Sequence, residues 1–274
     1  MHSIWTENFI VHTWDVDVNN RLTPAAVFNY CQEVAGNHAT SLGVGKDALL
    51  RQNLAWILSR MTVLVYRRPG WGEQLTVRTW PRGVQKLFAI RDYDILDSFG
   101  ETIVQGRSAW VLLDTTSRRP IRPQSLTDQL PLNENMPELQ DGIPSLPAYE
   151  ALPQTSSRQA AYSDIDYNGH VNNARYIQWI QDALPDPVSL TKASSFRLDI
   201  NYLAEVTLGQ GVTLYTSLLN SEPADKETTF VPGEIDSSWL IEGRIAASTE
   251  QGAQGSSISP NEQPAFRAKL LCGA

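Results

Sequence analysis

Residues 164–173 read DIDYNGHVNN, and residues 15–24, which lie 149 positions earlier, read DVDVNNRLTP. Aligned without a gap, the two segments share Asp at their first and third positions and Asn at their fifth. The agreement continues beyond them, where Gln32 falls on Gln181. Chance rarely gives so much agreement over so short a window, so we infer an internal duplication and expect two copies of one structural unit.

Both copies follow the same local pattern, in which a strand leads into an Asp/Asn turn and then a helix. Strands are predicted over residues 9–14 and 159–163. In the first copy Thr23 is the expected N-cap, Pro24 the first helical residue and Gly43 the stop. Helical spacing predicts that this helix buries Val27, Cys31, Val34 and His38. The second helix is predicted from an apolar stripe ended by Pro185: Val171, Ala174, Ile177, Ile180 and Leu184.

Each helix is followed by four segments rich in β-branched and aromatic residues, which are typical of strands. Short connections between them favour antiparallel pairing. We therefore predict an α+β protein in which a mainly antiparallel sheet wraps around a long helix, twice over. The strands are expected at 55–66, 74–80, 87–96 and 102–113 in the first copy, and at 196–202, 211–219, 239–246 and 266–272 in the second.

Proline marks the boundary between the two copies. Seven prolines between positions 120 and 153 interrupt a stretch without a sustained hydrophobic period, as in an extended linker or wrapping segment. We expect an N-terminal unit at 1–125, a linker at 126–154 and a C-terminal unit at 155–274. A further stretch, 251–263, is rich in Gly, Ser and Gln and is predicted to be a loop.

Composition excludes several classes of protein. The 274 residues are 42% hydrophobic and 19% charged, and no uncharged apolar run approaches the roughly 18 residues of a membrane span. A net charge of −8 disfavours binding to nucleic acid or an anionic membrane. Two cysteines predict neither a disulfide framework nor a zinc site, and no cofactor is expected. The N-terminus does not resemble a signal peptide, so a cytoplasmic location is expected.

The charge is unevenly distributed along the chain. Residues 1–125 carry 14 Lys and Arg against 11 Asp and Glu, whereas residues 126–274 carry 8 against 19. The first half is thus the better surface for an acidic partner, and unselected variation of surface charge is the alternative explanation.

The turn of the second copy collects residue types that suit hydrolysis. His170 carries an imidazole, the group best suited to general acid–base work near neutral pH. Asp166 suits a nucleophile or a group that positions water, and Asn168 can orient a carbonyl. Gly169 permits a sharp turn, and the first N–H groups of the following helix suit an oxyanion. The alternative is that these residues only cap the helix and hold the turn.

The first copy shows what a structural version of this turn looks like. It has Asn20 and Arg21 in place of Gly169 and His170, and Thr-Pro in place of the Asn pair at 172–173. Gly, His and a pair of Asn residues are not a strong combination of helix cap and helix-forming residues. We therefore predict that the second copy is the working site and the first copy a scaffold.

The motif D-x-D-x-x-G-H-V-N-N-x-x-Y, which ends at Tyr176, resembles the signature of hot-dog fold thioesterases. With Trp56, the Trp-Pro pair at 80–81, RDY at 91–93 and WVLLD at 110–114, nearly the whole chain resembles the acyl-acyl-carrier-protein thioesterases of plants and bacteria. The resemblance implies a tandem hot-dog fold whose second unit is catalytic. It also implies hydrolysis of fatty acyl-carrier protein to free fatty acid.

The resemblance further implies the site residues. The family's Asp-x-Asn-x-His falls on Asp166, Asn168 and His170, and its catalytic glutamate falls on Glu205. In one route Glu205 orients His170, which deprotonates a water. In the other, Asp166 attacks the thioester and water then cleaves the mixed anhydride. The residues alone leave both routes open.

Two differences accompany that assignment. YRRP at residues 66–69 is expected opposite YLAE at 202–205, so that the first copy lacks the acid and Pro69 stands opposite Glu205. Val206 stands where plant members have Cys, so a cysteine nucleophile is excluded at that position.

The resemblance implies a tunnel for the acyl chain and an acidic partner, acyl carrier protein. The tunnel candidates, each also explicable as an ordinary core aromatic, are Phe28, Tyr30, Trp56, Trp80 and Trp110. The arginines expected to dock the carrier are Arg67, Arg68, Arg78, Arg82, Arg118 and Arg119. An acyl-CoA thioesterase on the same fold and a non-catalytic acyl-binding protein remain open as alternative functions. Assembly into a homodimer is also left open.

Overall fold

The computed structural model describes residues 3–127, 130–139, 142–184, 190, 192–219, 235–245 and 262–273. Its helices are α1 (Pro24–Ser41), α2 (Lys46–Leu50), α3 (Gln124–Thr127) and α4 (Asn173–Ala183), with a 3₁₀ turn at Tyr162–Asp164. The strands of the first half are β1 (Trp5–Ile10), β2 (Leu54–Val65), β3 (Gln74–Gln85), β4 (Phe88–Leu96), β5 (Thr102–Asp114) and β6 (Arg119–Ile121). Those of the second half are β7 (Gln154–Gln159), β8 (Ser195–Tyr202), β9 (Gly211–Leu219), β10 (Ile235–Ile245) and β11 (Gln263–Gly273).

The strands form one sheet with the order β1-β3-β4-β5-β2-β8-β11-β10-β9-β7, and β6 pairs with β5. Counted outward from the centre, the first half has the order β2-β5-β4-β3-β1 and the second half β8-β11-β10-β9-β7. The two orders are equivalent, because β1 to β5 correspond to β7 to β11, as a duplication requires. All pairings between these strands are antiparallel. The α+β class and the antiparallel sheet are therefore confirmed. The two copies do not carry separate sheets, however, because β2 and β8 join them into one.

The junction between β2 and β8 explains why the halves fuse. Each strand would otherwise leave an unpaired edge, and pairing satisfies its backbone groups. The outward face of the junction is polar, and Thr62 Oγ1 donates to Asp199 Oδ1 at 2.7 Å in a buried hydrogen bond. The proline-rich segment covers this face, since Leu146 N donates to Asn201 Oδ1 at 2.8 Å. A buried polar seam thus ties the two halves and the linker together.

The proline-rich segment is a wrapping segment, one of the two forms expected for it. Leu139 packs against Leu64 of β2 and Leu271 of β11, which belong to different halves. Tyr149 Oη donates to the Ala268 carbonyl at 3.2 Å. The segment therefore crosses the outer face of the sheet while remaining tied to both halves.

Helix α1 begins and ends as its sequence predicts. Thr23 Oγ1 accepts a hydrogen bond from Ala26 N at 3.2 Å, and Pro24 is the first helical residue. The helix ends at Ser41, just before Gly43 with its φ of +75°. The predicted buried face is correct: Val27, Cys31, Val34 and His38 are all at most 1% exposed.

Helix α4 packs beside α1, and the two helices share one core with the apolar face of the sheet. Ala174, Ile177 and Ile180 of the predicted stripe are buried. Pro185, expected to end this helix, lies outside the described residues, as does most of the loop expected at 251–263. No helix in the described part of the chain is long and apolar enough to cross a membrane.

The strands before the two turns end four residues earlier than predicted, β1 at residue 10 and β7 at residue 159. In the second copy Ala161 N donates to Asp164 Oδ2 at 2.9 Å, and in the first His12 N donates to Asp15 Oδ2 at 3.0 Å. Because these carboxylates bind N–H groups that a strand would use, the chain turns before the helix begins.

Gly243 of β10 allows the second half of the sheet to close on its helix. It pairs with Phe266 of β11, and a β-carbon at position 243 would overlap the Phe266 ring. That ring packs edge-on against Tyr176 of α4, with 5.4 Å between the centroids. The absence of a side chain at position 243 is therefore a packing requirement.

We expect Gly243→Ala to destabilise the protein by about 1–3 kcal/mol, the usual cost of overpacking a core. The matched control is Gly36→Ala. Gly36 is exposed in α1 with open space around it, so alanine there is expected to stabilise by about 0.5–1 kcal/mol. Urea unfolding measures both free energies. An unchanged free energy of unfolding for Gly243→Ala would contradict the packing described.

Candidate active site

The turn that opens the second helix is closed by its own backbone. Asp166 N donates to the His170 carbonyl at 2.9 Å, and Gly169 N donates to the Asp166 carbonyl at 3.0 Å. Gly169 has a φ of +84°, which L side chains rarely adopt. Asp166 Oδ1 accepts from Asn168 N at 2.7 Å. The turn is therefore a short, defined loop that carries three of the expected catalytic side chains.

A second loop places Glu205 beside this turn. Val171 N donates to the Val206 carbonyl at 2.8 Å, and His170 forms a β-bridge with Thr207. As a result, His170 Nε2 lies 3.3 Å from Glu205 Oε2, and each side chain is 36% exposed. An imidazole and a carboxylate thus meet where water and substrate can reach them.

Asp166 and Asn168 form the other pair of the site. Asn168 Nδ2 donates to Asp166 Oδ2 at 3.4 Å. The two pairs are linked by the backbone hydrogen bond between Asp166 and His170 described above. The structure therefore places the four expected catalytic residues on two adjoining loops, in two contacting pairs.

Asn172 caps α4, contrary to the expectation that the Asn pair provides no strong cap. Its side-chain oxygen accepts from Ala174 N at 2.9 Å, and Asn is among the best N-cap residues. Asn173 is the first helical residue, and its Nδ2 lies 3.5 Å from Gln32 Oε1 of α1. Asn172 thus caps the helix and Asn173 contacts the other helix, whereas His170 and Asp166 lie in the turn before α4.

Tyr176, the last residue of the motif, lies beneath the site. It is 3% exposed, and its ring packs edge-on against Tyr202 with 5.5 Å between the centroids. Burial raises the pKa of Tyr176, and the charges of Glu205 and Asp166 raise it further. Tyr176 is therefore a neutral phenol that supports the floor of the site.

Two basic residues of the first half reach the site of the second. Arg118 Nη2 lies 3.3 Å from Glu205 Oε2. Lys46 Nζ lies 3.4 Å from the Tyr167 carbonyl and 3.7 Å from the centroid of the Tyr167 ring. Sequence reasoning missed Lys46 and assigned Arg118 only to docking. These contacts join residues 87 and 121 positions apart, so no local pattern signals them.

Equivalent backbone contacts in the first half correct the alignment of the two copies. Leu22 N donates to the Pro69 carbonyl at 2.8 Å, just as Val171 N donates to the Val206 carbonyl in the second half. Pro69 therefore corresponds to Val206, and Arg68 corresponds to Glu205. The expectation that Pro69 stands opposite Glu205 is wrong by one residue, because matching the tyrosines of two strands does not determine where each chain leaves its strand.

The first-half turn is held by an ion pair. Arg68 Nη2 lies 2.6 Å from Asp17 Oδ2, and the Arg68 side chain is only 2% exposed. Arg68 Nε also donates to the Leu22 carbonyl at 2.8 Å. Arg21, which replaces His170, donates to the Lys192 carbonyl at 2.8 Å. Where the second half has an acid and an imidazole, the first half has two arginines: Arg68 is paired with Asp17 of its own turn, and Arg21 donates to a carbonyl of the second half.

The cysteines lie apart from this chemistry. Burial raises the pKa of Cys272 to about 11 and also raises that of Cys31. Val206, at the position where a cysteine was excluded, is fully buried. In the part of the chain that the structure describes, no three His, Cys, Asp or Glu side chains are grouped to hold a metal ion.

The five candidate tunnel aromatics occupy different environments. Tyr30 Oη donates to Asp15 Oδ2 at 2.7 Å, Trp56 Nε1 donates to the Val44 carbonyl at 3.1 Å, and Trp80 is buried in β3. Phe28 and Trp110 line a cavity of about 10 Å³, and its other lining residues are Gln32, Leu58, Met61, Tyr93 and Asn173.

That cavity lies between the first-half core and the start of α4, since Asn173 is part of its wall. It has room for about one water molecule. An acyl chain that enters here must therefore displace side chains of the first half, such as Met61 and Trp110.

Five of the six arginines expected to dock an acidic partner form ion pairs within the fold, and Arg119 is exposed on β6. The ion pairs are those of Arg67 with Glu73 and Asp97, Arg68 with Asp17, Arg78 with Asp94, Arg82 with Asp92 and Glu138, and Arg118 with Glu205.

Sequence comparisons match most of the chain. The N-terminal domain of acyl-ACP thioesterase (ACP, acyl carrier protein) matches residues 2–129, and the C-terminal domain matches residues 152–250. The oleoyl-acyl carrier protein thioesterase of Coriandrum sativum is 31% identical over 207 residues, 68% of this chain and 55% of that protein. The palmitoyl-acyl carrier protein thioesterase of Cuphea hookeriana is 28% identical over 202 residues, 69% of this chain and 49% of that protein. The chain spans about half the length of these curated relatives.

Solved structures share the fold over almost the full chain. An acyl-ACP thioesterase from Bacteroides thetaiotaomicron superposes with a TM-score of 0.77 at 26% identity, covering 98% of this chain and 97% of that one. The 12:0-ACP thioesterase from Umbellularia californica gives 0.74 at 22% identity, with 98% and 97% covered. The tandem hot-dog fold is thus confirmed. Because both domains of one family match in order along the sequence, the chain belongs to the acyl-ACP thioesterase family.

Proposed function

We propose that the protein hydrolyses the thioester of fatty acyl-acyl-carrier protein and releases free fatty acid and holo-carrier protein. The observation that carries this proposal is the 3.3 Å contact of His170 Nε2 with Glu205 Oε2 beside the Asp166–Asn168 pair. Family membership supports a thioester substrate, since the relatives are named as acyl carrier protein thioesterases. A thiolate leaves readily, so hydrolysis needs little beyond a positioned nucleophile and an oxyanion site.

The contact between His170 and Glu205 supports a route through activated water. Glu205 accepts a hydrogen bond from Nε2–H and orients the ring, which leaves the Nδ1 lone pair to remove a proton from water. The hydroxide adds to the thioester carbonyl, and the tetrahedral intermediate then expels the carrier thiolate, which takes the proton from His170. The Asn168 side-chain amide is suited to hold the carbonyl oxygen as it becomes negative.

Asp166 is better suited in this geometry to hold the water than to attack. Its Oδ1 accepts from Asn168 N at 2.7 Å and its Oδ2 accepts from Asn168 Nδ2 at 3.4 Å. Hydrogen bonds to both oxygens make the carboxylate a weaker nucleophile, whereas its remaining lone pairs can still accept a hydrogen bond from water. We therefore assign Asp166 to positioning water in the route above.

The same proposal assigns substrate binding to the unit at 1–125 and catalysis to the unit at 155–274, with 126–154 as the segment that wraps both. Phe28 and Trp110 of the first unit support this division, because their cavity includes Asn173 beside the catalytic turn. A homodimer and a cytoplasmic location stay predictions.

We expect His170→Ala and Asp166→Asn each to lower kcat by about 10²–10⁴, the usual contribution of a base or of a positioned charge. The matched control is Arg21→Ala, which changes the position equivalent to His170 in the first half and is expected to retain activity. Fatty acid release from acyl-ACP measures all three, with circular dichroism to verify folding. A folded His170→Ala protein with near-native turnover would overturn the assignment.

Substrate class is tested by comparing acyl-ACP with acyl-CoA of the same chain length. We expect the higher kcat/KM with acyl-ACP, because the carrier adds binding energy that CoA cannot supply. A higher kcat/KM with acyl-CoA would indicate an acyl-CoA thioesterase instead. If neither substrate releases fatty acid while an acyl chain still binds, the protein is an acyl-binding protein without thioesterase activity.

A further inference from the structure

Arg118 lies in a hairpin of the first half whose shape is set by hydrogen bonds. The hairpin joins β5 to β6, and Asp114 Oδ1 accepts from Thr116 N at 3.0 Å and from Ser117 N at 2.7 Å. Thr115 N also donates to the Asn53 carbonyl at 2.8 Å. The backbone hydrogen bonds to Asp114 lower the pKa of its carboxyl group, so the acid is ionised when it holds the turn. Arg118 therefore projects from a defined backbone.

The backbone of Arg118 has a φ of +54°. This left-handed conformation is uncommon for residues other than glycine. The backbone therefore does not itself call for arginine at this position. The side chain reaches the second half, where it contacts Glu205.

One oxygen atom of Glu205 makes both contacts. Oε2 lies 3.3 Å from Arg118 Nη2 and 3.3 Å from His170 Nε2. The guanidinium therefore attracts the same oxygen that faces the imidazole, and it opposes rotation of the carboxylate away from His170. The Arg118 side chain is 76% exposed, so the strength of this attraction is that of a solvent-screened ion pair.

We propose that Arg118 is a positioning residue for hydrolysis, which holds the Glu205 carboxylate against His170 from the other half of the chain. The inference rests on the proposed function of Glu205 and His170. Arg118 lies in the N-terminal unit, whereas Glu205 and His170 lie in the C-terminal unit. In this proposal the site therefore depends on both units. The competing role for Arg118 is attraction of the acidic carrier, and it acts on a different kinetic constant.

The test is a double-variant cycle on a substrate without a carrier, a fatty acyl thioester of N-acetylcysteamine. We expect Arg118→Gln to lower kcat about two- to fivefold, the size of an exposed ion pair, and to leave KM nearly unchanged. In a Glu205→Gln background the same change is expected to have no further effect, because Arg118 acts through Glu205. Arg118→Lys is expected to restore part of the loss, since lysine keeps the charge but not the planar geometry.

Two further variants separate positioning from folding. Arg118→Gly suits the left-handed backbone, so it is expected to fold at least as well as wild type and still lose the same kcat as Arg118→Gln. Arg158→Gln is the control, because Arg158 pairs with Asp182 on the surface of the second half. It removes an exposed ion pair away from the site and is expected to leave kcat unchanged.

Three results would overturn the proposal. An unchanged kcat for Arg118→Gln is the first, and an equal loss in the wild-type and Glu205→Gln backgrounds is the second. The third is a rise of KM with acyl-ACP alone, which would assign Arg118 to the carrier.

If the wild-type protein hydrolyses no thioester, the proposed function fails, and NMR still tests the contact. Glu205→Gln should change the ring ¹⁵N shifts of His170 less in the Arg118→Gln background than in wild type. An equal change in both backgrounds would show that Arg118 does not hold Glu205.

Discussion

The backbone hydrogen bond from Val171 N to the Val206 carbonyl determines where the site forms. Val171 follows His170 and Val206 follows Glu205, so this single 2.8 Å bond brings an imidazole and a carboxylate to one point. Both valines are buried, at 4% and 0% exposure, and water therefore competes little for the bond. The first half makes the same bond from Leu22 to Pro69. Both halves thus share this backbone geometry, and they differ in the side chains that it brings together.

The two halves show how one backbone serves two purposes. In the first half, Arg68 takes the place of the acid and forms a buried ion pair with Asp17, so the turn becomes part of the packing. In the second half, the equivalent positions remain about one-third exposed. The first half still contributes to the candidate site, through Lys46, which contacts Tyr167 of the turn, and Arg118, which contacts Glu205. The site is therefore built by the whole chain, although its expected catalytic residues lie in one half.

Local chemistry made much of this structure predictable. Thr23 and Pro24 mark the start of α1, and the repeated Asp/Asn turn indicates the duplication and the candidate site. The rest depends on how distant segments meet. Fusion of the sheets needs the free edges of β2 and β8, and the Arg118 contact needs both halves in place. The role of Asn172 was misjudged because a cap is a property of one position, not of a residue pair.

The central claim is that the second turn, and not its twin, receives the thioester. A crystal structure with a non-hydrolysable fatty acyl-pantetheine analogue tests it most directly. We expect the carbonyl equivalent within hydrogen-bonding distance of the 166–170 turn, and the alkyl chain in an enlarged cavity between Phe28 and Trp110. An analogue seated at the 17–21 turn, or one whose carbonyl lies remote from His170, would contradict the account.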